Sequence, residues 1–231
     1  LMPEEVNRIL TDRISTVLFC PSQGAMDNLR REGCRQTVVN CGDIMHDVLL
    51  LNLEIALKRS RILLKNSLSC KGYYLVTIHR AENTDNPVRL KDIVCAFSEI
   101  SKDKPLIWPI HPRTARMIKG FKIAKDVKLI EPVGYFDMLT LEKNASKIIT
   151  DSGGVQREAY WLKIPCVTLR DETEWVETIK VGCNILAGAN CRKIVHAAAK
   201  SVSSFKFNSP NLYGNGTAGE KIIVVLKRIK T

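Results

Sequence analysis

In Thr150-Asp151-Ser152-Gly153-Gly154-Val155-Gln156-Arg157-Glu158-Ala159 a buried strand breaks into a glycine turn and at once opens a helix. The residues before the break, Lys147-Ile148-Ile149-Thr150, form a short β-branched apolar run of the kind found in parallel strands. Ser152 is a helix N-cap residue, and Gly153 and Gly154 let backbone approach a ligand with no Cβ in the way. Free N–H groups at such a helix start, with the positive end of its dipole, suit a phosphate. Gln156 and Glu158 follow on the first turn of the expected helix, where a carboxylate can accept hydrogen bonds from a ribose diol. An ordinary capped helix in an α/β sheet would use the same residues, so the motif by itself leaves both readings open.

Outward from this motif, strand and helix patterns alternate along the chain. Strands are expected at 16–20, 36–39, 73–78, 106–110, 127–130, 147–150, 165–168 and 183–186. Helical periodicity fills 3–14, 22–31, 43–66, 88–101, 135–144, 155–162, 191–201 and 217–229. Such alternation implies a parallel sheet with helices on both faces, joined by right-handed crossovers. Ligands of these sheets gather beyond the carboxyl ends of the strands. Three polar clusters fall there: His79-Arg80-Ala81-Glu82-Asn83, His111-Pro112-Arg113-Thr114, and Asp151-Ser152-Gly153-Gly154. The expected organisation is a remnant of an N-terminal Rossmann-like domain at 1–42, a ligand-binding Rossmann-like domain at 43–207, and a tail with a helix at 208–231 packing back on the first domain. Two strands in the first 42 residues, with a start inside a helix, read as an α/β domain truncated at its amino end.

Composition excludes several classes. Of the 231 residues 45% are hydrophobic and 26% charged, a globular and not a disordered balance. No apolar run approaches the roughly 20 residues that span a bilayer, and Leu1-Met2-Pro3-Glu4-Glu5 is no signal peptide, so the expected location is the cytoplasm with no membrane partner. The net charge of +11 comes from scattered basic residues, and aromatics are only 6%, which argues against nucleic acid and suits a small polyanion. The eight cysteines form no CxxC pair and have no histidine at ligand spacing; they read as reduced, buried packing residues.

The clusters together, in their order, resemble the non-hydrolysing UDP-N-acetylglucosamine 2-epimerases and their uronic-acid relatives. The series runs from Met2-Pro3-Glu4-Glu5-Val6-Asn7-Arg8 through Asn40-Cys41-Gly42-Asp43-Ile44-Met45-His46-Asp47 to the His79–Asn83 and His111–Arg113 clusters. It continues with 151–158 and ends in Leu169-Arg170-Asp171-Glu172-Thr173-Glu174-Trp175-Val176-Glu177. The resemblance covers essentially the whole chain. It implies an α/β, GT-B-like pair of doubly wound Rossmann-like domains with the UDP-sugar in the cleft between them. It further implies C2 inversion by elimination of UDP to a 2-acetamidoglucal and re-addition from the other face. Neither metal nor cofactor is implied, and a homodimer is implied for the full-length protein.

By the same resemblance Glu4 and His79 match catalytic residues. Arg80 and Glu82 border the diphosphate, and Ser152, Gly153 and Gly154 hold it. Glu158 binds the ribose, His111 and the backbone near Gly134 contact the nucleotide, Tyr135 or Phe136 packs on uracil, and Arg170 belongs to the substrate-binding set. For the aromatics, core packing is the alternative. Three departures stand out. The family's other two catalytic acids have no counterpart in these residues, so this chain alone is expected to be inactive. Trp175 stands where many relatives have Arg, which leaves a UDP-2,3-diacetamido uronic acid as an alternative substrate; a non-catalytic UDP-binding module formed by the surviving domain is the other alternative reading. Arg157 replaces a common acid and is expected to be a tolerated surface change.

Overall fold

The computed structural model describes residues 3–207 and 211–229, with side chains from Glu5 onward. The chain divides into two compact units, Leu1–Leu51 with Pro210–Thr231, and Asn52–Ser209.

The first unit pairs β1 (Val17–Cys20) with β2 (Thr37–Asn40) in parallel, in register Val17 to Thr37. Leu18, Cys20 and Leu29 are its buried centre, with Leu29 on α2 (Gln23–Arg31). On α1 (Pro3–Ile14), Arg8 forms ion pairs with Glu5, Asp12 and Glu32 at 2.5–2.9 Å. The division lies at 51/52, not at the expected 42/43, and the reason is local. The start of α3 (Ile44–Arg59) is tied to the tail: Asp43 N–H donates to Tyr213 O at 2.8 Å, and the Asp47 carboxylate accepts from Ala218 and Gly219 N–H at 3.1 and 2.8 Å. Asp47 thereby supplies the anion at the N-terminus of α12 (Ala218–Leu226), where the helix dipole favours it. Gly42 and Gly214, with φ of +88° and +82°, let the two segments meet backbone to backbone.

The second unit holds β3 (Tyr74–Thr77), β4 (Leu106–Pro109), β5 (Val127–Ile130), β6 (Lys147–Thr150), β7 (Cys166–Thr168) and β8 (Asn184–Leu186). They form one parallel sheet in the order β5-β4-β3-β6-β7-β8. The central strands β3, β4, β6 and β7 are buried along nearly their whole length because both faces are covered, whereas the edge strand β5 exposes Lys128 and Leu129. Val76, Ile149 and Val167 point to α6 (Pro87–Ile100) and α11 (Cys191–Ala199), where Phe97 meets Trp108 edge-on at 5.4 Å. Leu139, Leu141, Ala159 and Leu162, on α8 (Tyr135–Asn144) and α9 (Gly153–Leu162), are equally buried but lie outside that cluster and cover the other face. Each such large side chain contributes about 1.5–3 kcal/mol by leaving water.

All eight expected strands form. The expected helix 43–66 is broken: Ser60 Oγ accepts from Ile62 N–H at 3.2 Å and donates to Asp137 at 2.5 Å, and a new turn, α4 (Ile62–Lys65), begins. The helix expected to reach 201 stops at Ala199, because the buried Lys147 amine takes the carbonyls of Ala198 and Lys200. Three short helices, α5 (Ala81–Thr84), α7 (Pro112–Met117) and α10 (Val176–Lys180), were not expected; they are too short to show a period. No helix among the described residues is long and apolar enough to cross a membrane.

Candidate active site

The strand order reverses between β3 and β6, so the loops leaving these neighbouring strands diverge and open a crevice at their carboxyl ends. Asp151, completely buried, ties the two loops together. Its carboxylate accepts from the N–H groups of His79 and Arg80 at 3.1 Å each and from Asn83 Nδ2 at 3.1 Å. His79 Nδ1 also stands 3.3 Å from Asp151 Oδ1, and the half-exposed ring faces outward from that anchor. Arg80 Nε donates to the Asp151 backbone carbonyl at 3.1 Å. Asp151 thus holds both expected residues, a role the sequence motif does not state.

Beside this hub, Ser152 caps α9 by accepting from Val155 N–H at 3.4 Å, and its own N–H donates to Thr150 Oγ1 at 2.9 Å. The helix begins at Gly153, two residues earlier than expected, which moves Glu158 to the second turn. A Cβ on Gly153 would stand 2.8 Å from Glu174 Oε1 and 2.9 Å from Trp175 Nε1, so the loop after β7 closes directly over this glycine. Gly154 is open, with nothing nearer than Ser152 Oγ at 3.8 Å. Arg170, 2% exposed, binds Glu174 at 2.5 Å, and Arg80 lies 3.7 Å from the same carboxylate. Burial would raise the Glu174 carboxyl; its own backbone amide, the Arg170 hydrogen bond and the charges of Arg170 and Arg80 hold it below its ordinary value. The Arg170 guanidinium is thus engaged by Glu174.

Gln156 is not a ligand group. Fully buried, it accepts from Thr173 Oγ1 at 2.8 Å and from Asn184 Nδ2 at 3.3 Å, which pins the 169–178 loop to the sheet. Glu82 turns toward Arg89, 3.2 Å away, and that arginine also bonds Asn83 and Asp171. His111 caps α7, its Nδ1 accepting from Arg113 N–H at 3.2 Å. Tyr135 and Phe136 are 38% and 36% exposed, so neither is core. With Gly134, Asp137, Arg59 and Ser60 they line a cavity of about 530 Å³. The side chain of Glu4 lies outside the described residues. Of the cysteines four are buried, Cys34 and Cys191 are half-buried, and Cys70 and Cys95 are exposed, which departs from the expected buried set.

The two unusual residues of the motif prove to be partners. The Arg157 guanidinium lies over the Trp175 ring at 4.1 Å and 5.9 Å from the centre of the Trp161 ring. Arg157 is not a free surface position, contrary to the expectation. A double-mutant cycle on Arg157→Met and Trp175→Leu, read by urea unfolding, is expected to give a coupling of about 0.5–1 kcal/mol. Strict additivity would show the stack to be energetically idle.

The family model for UDP-N-acetylglucosamine 2-epimerase matches residues 1–227. A UDP-N-acetylglucosamine 2-epimerase of Methanocaldococcus jannaschii is 48% identical, over 97% of this chain and 64% of its own length. A UDP-2,3-diacetamido-2,3-dideoxy-D-glucuronate 2-epimerase of Pseudomonas aeruginosa is 43% identical, over 99% of this chain and 64% of its own. The crystal structure of the Methanocaldococcus jannaschii UDP-GlcNAc 2-epimerase in complex with UDP-GlcNAc and UDP superposes with a TM-score of 0.87 at 46% identity. It is matched over 98% of this chain and 65% of that one. The chain thus spans 61–65% of the length of these and the other curated relatives compared with it, and the fold is the α/β, GT-B-like class expected from the sequence.

Proposed function

Because the chain belongs to the UDP-N-acetylglucosamine 2-epimerase family, we propose that it supplies the nucleotide-holding part of an enzyme that inverts C2 of UDP-N-acetylglucosamine. The observation that carries this reading is the meeting of the His79–Arg80 loop and the N-terminus of α9 on one buried carboxylate, Asp151. The C2 proton is too weakly acidic to leave directly, so the diphosphate must depart first and be held while the glucal waits. Backbone N–H groups at Gly153 and Gly154, the Ser152 hydroxyl and the Arg80 guanidinium present fixed positive potential for that departing charge. His79, oriented through Asp151, contacts the same diphosphate. Glu158 accepts from the ribose diol, and uracil enters the cavity beside Tyr135 and Phe136. Glu4 is assigned a proton-transfer role, Glu82 and His111 border the diphosphate and nucleotide, and Arg170 acts by fixing Glu174. No metal or cofactor enters this scheme. A cytoplasmic homodimer completes the proposal on the family resemblance.

Calorimetric titration of UDP, with UMP as a control lacking the β-phosphate, tests the reading. UDP is expected to bind and UMP to bind more weakly; no heat with UDP, or equal affinity for both, would remove the diphosphate site. Turnover by this chain alone is not part of the expected result, since the resemblance puts two further catalytic acids outside these residues. Glu158→Ala should weaken UDP by about 1–3 kcal/mol, the cost of losing a charged hydrogen-bond acceptor. An unchanged Kd would mean that the ribose lies elsewhere.

A further inference from the structure

Glu142, on α8, is 1% exposed in a position where an ionised carboxylate is costly. Among the described residues no N–H, hydroxyl or cation donates to either of its carboxyl oxygens. Helix α9 packs against α8 and carries Glu158, whose charge and side-chain hydrogen bond both act on the Glu142 carboxyl. Two carboxylates in such contact repel, and two acceptors cannot hydrogen-bond; a single proton between them removes both problems. The nearest ammonium, that of Lys71, is taken up by the backbone carbonyls of Lys143 and Ala145, and the groups whose own protonation senses the Glu142 charge are all neutral acids. They are Tyr135 on its own helix, Tyr73 at the edge of β3, and Cys166 on β7. The Tyr73 hydroxyl is committed to Leu141 O at 2.6 Å.

We propose that Glu142 is a positioning residue: as a neutral acid it donates its proton to Glu158 and keeps that carboxylate ionised and aimed at the ribose diol of a nucleoside diphosphate. This rests on Glu158 being the ribose acceptor. The supporting electrostatics agree in direction. Burial first, then the charge and hydrogen bond of Glu158, raise the Glu142 carboxyl well above its ordinary value. Burial and the same two carboxyls push the Tyr135 hydroxyl up to about 12, so it too stays protonated. The proton is therefore assigned to Glu142, the more enclosed partner, and the negative charge to Glu158, which is only partly buried.

Infrared difference spectra of ligand-free wild type against Glu142→Gln at neutral pH test the shared proton without any ligand. A protonated carboxyl band in wild type, absent from the variant, is expected; no such band overturns the proposal. UDP titrations from mildly acidic to mildly alkaline pH then test the positioning. Glutamine can donate as the neutral acid does, so Glu142→Gln should match wild type at the acidic end. It should bind several-fold better at the alkaline end, where wild type loses the shared proton, and the ligand's own titration cancels in the comparison. Glu142→Leu should bind about tenfold more weakly throughout. Identical pH profiles for wild type and Glu142→Gln overturn the proposal. So does wild-type affinity in Glu142→Leu while Glu158→Ala is weakened. If Glu158→Ala is also unchanged, the ribose assignment itself fails. Should the leucine variant not fold, the spectra and the glutamine profile still decide.

Discussion

Asp151→Ala is expected to lower the stability of the second unit by about 2–4 kcal/mol, read as a fall in the urea midpoint at constant m. The fully buried carboxylate serves two backbone N–H groups and the Asn83 amide. Removing it leaves three donors without an acceptor, at about 1–3 kcal/mol each if none is resolvated. The sum is discounted because His79 stands at the solvent side, where water can replace part of the loss. Asp151→Asn keeps one acceptor oxygen and should lose less than the alanine variant. Asp151→Ala should also abolish UDP binding, since it frees the His79–Arg80 loop from α9. A midpoint within the error of wild type would show that the loop holds itself and that Asp151 is not its anchor.

Gly42→Ala should be comparably severe in the first unit. At φ +88° an alanine costs about 1–3 kcal/mol in backbone strain. Its Cβ would also stand 3.0 Å from Gly214 Cα and 3.1 Å from Tyr213 O, which are backbone atoms that cannot rotate away. The segments would have to separate, breaking the Asp43–Tyr213 hydrogen bond and the Asp47 contacts with α12. Amide protection across Ala218–Leu226 is therefore expected to fall while protection of the β3–β8 sheet stays unchanged. Gly120→Ala is the control. It has the same φ of +88° but nothing within 4 Å, so it measures strain without collision. Equal losses in both variants would mean that the Gly42–Gly214 approach contributes nothing.

The architecture was legible because the central strands β3, β4, β6 and β7 are buried along their length and leave short, dense apolar runs between helical stretches. The site was half legible. Ser152, Gly153 and Gly154 declare themselves through cap and turn chemistry, and His79 and Arg80 through their place at a strand end. Asp151 lay inside the quoted motif, yet its acceptor role depends on a loop more than 70 residues away, which spacing cannot show. The inward turn of Gln156 was not legible, because only its three-dimensional neighbours Thr173 and Asn184 hold it there. Arg157 and Trp175 looked like independent departures for the same reason. Glu142 gave no signal: one glutamate on an amphipathic helix is ordinary until its burial is known.

The order of the strands also sets when the site can exist. The central pair, β3 and β6, is joined across 73 residues of sequence, while β3, β4 and β5 pair with nearer neighbours. No two strands of this sheet can close as a hairpin, since every pairing is parallel and needs a crossover. During synthesis the β3–β5 flank is available first, with its His79–Arg80 loop still lacking a carboxylate. Only when the chain through β6 has emerged and docked does Asp151 arrive beneath that loop and α9 present its N-terminus. On the proposed reading nucleotide capture is a late event in the life of the chain, because it follows the longest loop closure of the central sheet.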